Sequence, residues 1–189
     1  MRLKGKRIGV LIESDYFEKE IFYYQFRFQE EGAELHLLSR LWGQERITFT
    51  GHEYKVPLEC NQSFEDMSNT ELSSYDAIIV PSGYVSDRLR YTDNINNIPP
   101  ATEFLKRAFA DSSITKGIIC HGLWLAAPAP ELVRGRKMTL HNNLLGDAKN
   151  MGVEYQDQDV VVDGDLVSGR TGMHCHLFAS RIIEILSEK

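Results

Sequence analysis

Lys116-Gly117-Ile118-Ile119-Cys120-His121-Gly122-Leu123-Trp124-Leu125-Ala126-Ala127 is the stretch that decides the fold. An apolar run ends abruptly at a cysteine, passes His-Gly, and continues into a helix-like segment. That order reads as buried strand, sharp turn, then helix. A side chain at such a turn is pushed above the sheet, which is the geometry of a nucleophile elbow. A helix starting there would aim its free N–H groups and positive end at the sulfur. The thiol of Cys120 is therefore expected to ionise below its usual value of about 8.5. The plainer alternative is a buried, inert cysteine closing a core strand.

Outward from this stretch, strand and helix signals alternate. Ile8 to Ile12 is a continuous apolar run, typical of a strand covered on both faces. Glu18 to Glu31 reads as a helix with Ile21, Phe22, Tyr24, Phe26 and Phe28 as its apolar content, stopped at Gly32. Glu34 to Ser39 alternates like a strand, and residues 45 to 60 carry short strand candidates that suit a hairpin or edge ribbon. Tyr75 to Val80 is another central strand, closed by Pro81-Ser82-Gly83. Residues 100 to 111 and Asn142 to Met151 read as helices. Val160 to Val162 and Leu166 to Ser168 flank Asp163-Gly164, a strong hairpin signal. His174 to Ser187 is a closing helix with Leu177, Phe178, Ile182, Ile183, Ile185 and Leu186 facing inward.

This alternation predicts an α/β fold: a flavodoxin-like three-layer sandwich, mainly parallel, with helices on both faces. One domain over residues 1–189 is the expectation for this length. In such sheets ligands bind beyond the carboxyl ends of the strands. The segment after Ile12, the Pro81-Ser82-Gly83 turn and Cys120 should therefore converge on one crevice.

The whole-chain properties exclude several classes. A net charge of −6 with scattered basic residues argues against nucleic-acid binding. No apolar run approaches the roughly 18 residues that span a bilayer, so no membrane association is expected. The basic start is followed by an apolar run too short for a secretion signal, and three unpaired-looking cysteines suit a reducing compartment. A cytoplasmic protein is the expectation. No glycine-rich nucleotide loop is present, and no cofactor is expected. His174-Cys175-His176 resembles metal-ligand material, but two residues two apart on a helix point about 200° away from each other. No metal site is expected there. His174 and Arg170 remain candidates for the border of the crevice, and His141 reads first as a structural histidine.

Ile118 to Gly122, the strand-turn Ile78 to Gly83 and the tail Val160 to Arg170 together resemble the ThiJ/PfpI family of the class I glutamine amidotransferase-like superfamily, most closely its PfpI-type branch. The likeness runs from Arg7 to Leu186. It implies that Cys120 is the nucleophile, with His121 beside it. It also implies a glutamate from the first helix set against the cysteine. Spacing to Tyr23-Tyr24 and Glu30-Glu31-Gly32 puts this at Glu20, with Glu18 as the competitor. An acid after the glycine turn, reaching the histidine of a neighbouring subunit, falls on Asp87, one bond shorter than the family's usual glutamate. Backbone N–H groups at Ser82, Gly83 and His121 would form an oxyanion hole, with Ser82 where the family usually has glycine.

The resemblance implies a cysteine-dependent hydrolase or lyase: an intracellular peptidase-like enzyme, or a glyoxalase or deglycase acting on reactive dicarbonyls or their adducts. The partners it implies are a small carbonyl or peptide substrate and further copies of the same chain, as a homodimer or higher oligomer. The alternative is a non-catalytic stress-response protein with a redox-sensing Cys120 or a holdase surface.

Overall fold

A computed structural model gives the course of residues 1–189. In chain order the elements are β1 (Arg7–Leu11), α1 (Glu18–Glu30), β2 (Glu34–Leu38), β3 (Ile47–Thr50), β4 (Pro57–Cys60), α2 (Asn69–Leu72), β5 (Ala77–Val80), α3 (Val85–Leu89), α4 (Pro100–Ala110), β6 (Thr115–Ile119), β7 (Lys137–Met138), α5 (Leu145–Met151), β8 (Glu154–Tyr155), β9 (Val160–Asp163), β10 (Leu166–Gly169) and α6 (Cys175–Ser187). Six strands form the main sheet in the order β2-β1-β5-β6-β10-β9, parallel except for the last pair. Strands β5, β6 and β10 are buried at every residue; β5 is wholly apolar, whereas β6 and β10 also bury Thr115, Lys116 and Ser168.

The step from β1 to β2 and the step from β5 to β6 run in opposite directions along the sheet. Right-handed crossovers then place α1 and α4 on opposite faces. Helix α6 joins α1, with the rings of Tyr24 and Phe178 6.2 Å apart. On the other side Phe64 stacks on Phe104 of α4 at 5.4 Å. A single cluster of 49 buried residues forms the core. Strands β3 and β4 make a separate ribbon, as their polar-interrupted pattern suggested. No helix is long and apolar enough to cross a membrane.

Four expectations need correction. The segment after Cys120 is not an α-helix but a tight 3-10 turn series, Cys120–Ala126. Pro128 lacks an N–H and its ring would clash with the carbonyl four residues back, so an α-helix cannot run on through it. The closing α-helix begins at Cys175, after a 3-10 turn at Gly172–His174. Leu177 on α6 and Phe26 on α1 point to solvent rather than to the core. On α1 the buried apolar residues are Ile21, Tyr24 and Phe28, a spacing that keeps one helical face. In the β9–β10 hairpin Asp163 pairs with Leu166, so the turn is Gly164-Asp165, one residue later than the Asp-Gly signal implied.

Candidate active site

The carboxyl ends of β1, β5, β6 and β10 open on one cavity of about 430 Å³ lined by Asp15, Phe17, His52, Ser82, Gly83, Tyr84, Cys120, His121, Trp124, His141, Thr171, Gly172 and Met173. Cys120 sits at its floor, 7% exposed, with φ of 59°. A non-glycine residue in this left-handed region carries a cost of about 1–3 kcal/mol, held by the surrounding structure. The cause is local. Ile119 ends β6 in extended backbone, and the chain must reverse at once to begin the 3-10 turns.

His121 Nδ1 lies 3.2 Å from Cys120 Sγ. The backbone N–H groups of His121, Gly172 and Gly83 converge on the same sulfur. Gly172 was not apparent from the sequence as part of this set. A Cβ on it would come within 2.5 Å of both Phe17 and Ser82 Oγ, so only glycine brings this N–H so close. The thiol itself does not follow the sequence expectation. Burial, the largest influence, pushes Cys120 up to about 11; the three N–H groups oppose this, and Glu20 adds to it. The short 3-10 segment supplies no α-helical dipole to reverse the balance.

The two acids of α1 separate cleanly. Glu18 is buried and turned away from the cysteine: it accepts hydrogen bonds from Glu53 N and Tyr54 N, both at 2.8 Å. Burial opposes its charge, but these N–H groups outweigh burial and hold its carboxyl below the ordinary range. The carboxyl packs so tightly under the ribbon that a Cβ on Gly51 would lie 2.1 Å from Glu18 Oε1. Glu18 therefore fixes the 51–54 loop, which carries His52 into the cavity wall. Glu20 is fully buried and accepts from Ser82 N, at 3.1 and 3.3 Å to its two oxygens, and from the Ser82 hydroxyl. Burial pushes its carboxyl up to about 7 against the pull of those donors. The buried hydroxyl of Tyr24 faces the same carboxyl without a hydrogen bond of its own. No hydrogen bond joins Glu20 to Cys120; the bond expected to steady the sulfur goes to Ser82 instead.

Other predicted positions fall elsewhere. The Ser82 N–H is occupied by Glu20, which leaves Gly83, His121 and Gly172 as the groups facing the sulfur. Asp87 is an exposed residue of α3, bonded to Arg90 at 3.0 Å and outside the Cys120 cavity of its own chain. Arg170 is tied to Asp157 at 2.7 Å and Asp159 at 3.2 Å, and His174 lies 3.6 Å from Asp159; neither lines the cavity. The adjacent strand end reaches the cavity through Thr171, Gly172 and Met173 instead.

Two histidines complete the wall. His141 stacks on His121 with ring centroids 4.8 Å apart, and His121 also meets Trp124 edge-on at 4.9 Å. Burial first, and then His141, hold His121 below the ordinary histidine range, so its ring is neutral near pH 7. His52 stands against Tyr84 at 5.0 Å and lies 3.9 Å from Asp15, which also binds Arg88. Both histidines come from loops, where periodicity gives no signal.

A strand-end cysteine in left-handed backbone, ringed by N–H groups at the carboxyl edge of a parallel sheet, defines a class of nucleophile-elbow proteins. The chain belongs to the DJ-1/PfpI family, whose model matches residues 6–185. It is 30% identical over 181 residues to a deglycase of Pyrococcus horikoshii, covering 95% of this chain and 99% of the relative. It is 30% identical over 168 residues to protein/nucleic acid deglycase 2 of Escherichia coli, covering 88% and 90%. General stress protein 18 of Bacillus subtilis is similar at 30% identity, covering 88% of this chain and 90% of that protein. Among solved structures, a ThiJ/PfpI domain protein from Brachyspira murdochii superposes with a TM-score of 0.81 at 17% identity, covering 98% of both chains. Schizosaccharomyces pombe DJ-1 does so with 0.76 at 19% identity, covering 95% of this chain and 90% of that one.

Proposed function

We propose that this protein is a cysteine-dependent enzyme that acts on small carbonyl adducts of the kind a deglycase removes. One observation carries the reading: Cys120 Sγ projects at the floor of the cavity with His121 Nδ1 at 3.2 Å and three backbone N–H groups around it. His121 Nδ1 accepts the thiol proton when the ring hydrogen is on Nε2. The sulfur adds to the substrate carbonyl carbon. The oxygen on that carbon takes the charge, and the N–H groups of Gly83, His121 and Gly172 receive it. The bond from the neighbouring carbinol carbon to the amine or thiol then breaks: the departing group takes the proton from His121, and the carbinol hydroxyl returns one to His121 as it becomes a carbonyl. Collapse of the oxyanion breaks the carbon–sulfur bond, and Cys120 takes the proton back, so amine or thiol and dicarbonyl are released. The mostly apolar, histidine-lined cavity suits a compact adduct on a side chain or thiol better than an extended peptide, which would need a long open cleft.

The test is turnover of methylglyoxal-modified thiol and amine compounds beside fluorogenic peptides, with Cys120→Ser as control. Release of dicarbonyl from the adducts, abolished by Cys120→Ser, is expected. Turnover that survives Cys120→Ser, or peptide cleavage without adduct turnover, would overturn this reading.

One observation favours a second reading. Within the chain His121 has no hydrogen-bonded carboxylate behind it, because Asp87 is engaged by Arg90. A sensor needs only an oxidisable sulfur and no oriented base. Stepwise oxygen addition at Cys120 with peroxide, in a protein inert toward every adduct, would support that reading.

A further inference from the structure

Ser82 and Glu20 form the most tightly satisfied polar contact at the cavity floor, and the deglycase reading gives it no role. The Ser82 N–H and O–H both address one carboxyl, and no water reaches it. The side chain is 2% exposed and wedged beside Gly172, where even an added methyl would collide with its oxygen.

We propose that Ser82 is a positioning residue that holds the Glu20 carboxyl away from Cys120 and thereby keeps the proton on the sulfur. The groups facing Glu20 are Tyr24 on its own helix, Ser82 after β5, Cys120 after β6 and Cys175 at the start of α6; His121 faces Cys120 from its other side. Between neutral and mildly alkaline pH, Glu20 and Cys120 hold one proton between them, so their titration belongs to the pair. With the proton on Cys120, Glu20 is a carboxylate, which two Ser82 donors stabilise and which opposes a second negative charge nearby. With the proton on Glu20, the carboxyl can donate to the thiolate. In that case the Ser82 oxygen competes as an acceptor. Either role of the hydroxyl draws the shared proton's balance away from the thiolate. The exchange moves a single proton between Glu20 and Cys120 and breaks no other bond.

The experiment follows the pH dependence of Cys120 alkylation by iodoacetamide, read by mass spectrometry, with thiolate ultraviolet absorbance as a second signal. It rests on the same cysteine as the proposed function but needs no substrate. A failed turnover assay therefore leaves it intact, and a failed shift leaves the deglycase reading intact. Ser82→Ala is expected to lower the Cys120 midpoint by about one pH unit, which is about tenfold faster alkylation below both midpoints. Ser82→Gly, which keeps the N–H and asks nothing of the packing, should shift it the same way; Ser82→Thr, which restores a hydroxyl, should return it towards the parent value. In a Glu20→Gln background Ser82→Ala should have no further effect. An unmoved or raised midpoint in both Ser82→Ala and Ser82→Gly overturns the proposal. So does a shift that persists undiminished without the Glu20 carboxyl.

Discussion

At the amino-terminal end of the central strands, Lys116 is completely buried. It meets Asp165, donates to Asp111 O at 3.0 Å, and shares Asp165 with Arg136 at 2.8 Å, which also binds Asp163 at 2.8 Å. At the carboxyl-terminal end, about a strand's length away, Glu20 is just as buried but has only neutral donors. Burial disfavours both carboxylates. At Asp165 the two cations outweigh it and hold the acid below its ordinary range; at Glu20 nothing does, and the carboxyl rises to about 7. At one end of the sheet burial lowers the Lys116 pKa, and its bond to Asp165 works against that shift, so cation and acid hold each other charged. The other is built so that a proton can change places. The second arrangement belongs beside a nucleophile and the first does not.

The difference is sharpest under mutation of the fixed end. Asp165→Ala leaves the Lys116 ammonium buried with a single carbonyl, and the expected loss is about 3–5 kcal/mol in urea unfolding. A loss below about 1 kcal/mol would mean that Arg136 and water replace the pair, and the contrast between the two ends would fail. Glu20→Gln should act in the opposite sense. Glu20 has a higher pKa in the folded protein, about 7 against 4.5, so the folded state holds more protons between these values and stability falls as pH rises through that window. A neutral glutamine escapes this. The variant should be more stable than the parent at pH 8 by on the order of 2 kcal/mol, with the gain vanishing near pH 4. Equal stability differences at both pH values would show that Glu20 is not ionising inside the fold. Asp87→Asn should do least: the residue is exposed and paired only to Arg90, so unfolding should shift by less than about 1 kcal/mol and Cys120 alkylation by monomeric protein should not change. An effect on turnover that appears only in an assembled oligomer would show that a neighbouring copy brings Asp87 to a site it does not reach within its own chain.

The main sheet was legible because the middles and carboxyl ends of β1, β5 and β6 are covered on both faces, which leaves the apolar runs Ile8 to Leu11, Ala77 to Val80 and Gly117 to Ile119. The elbow was legible for a related reason: an apolar run that ends in Cys-His-Gly leaves the cysteine little room to stay in the sheet. What followed was not legible. Leu123 to Ala127 has helical composition, but Pro128 shortens it to 3-10 turns, and the field expected to favour a thiolate goes with the missing helix. The two glutamates of α1 lie two residues apart and are both buried; spacing to Tyr23-Tyr24 put Glu20 on the cysteine side, but nothing in the sequence showed that Glu18 holds the ribbon or that Glu20 bonds to Ser82. Arg170 and His174 border the right strand end, yet a ring of aspartates draws their side chains outward. His52 and Gly172 had no sequence signal, and His141 read first as a structural histidine and only second as a pocket contact, because loop path is set by tertiary contacts.

The Glu18 clamp divides the cavity by origin. Its floor is made by the ends of the main sheet, which the core fixes in place. Part of its wall, His52 in particular, hangs from the β3–β4 ribbon, whose tip is attached through the Glu18 carboxylate on two N–H groups, a bond from His52 N to Tyr16 O at 2.9 Å, one from Asp15 N to Thr50 O at 2.7 Å and one from the Tyr16 hydroxyl to Val56 O at 2.6 Å. Residues 51 to 56 are therefore the part of the wall that lies outside the main sheet and the strand ends that carry Cys120. Exchanging that hexapeptide for another loop is the shortest route to changing what the cavity admits.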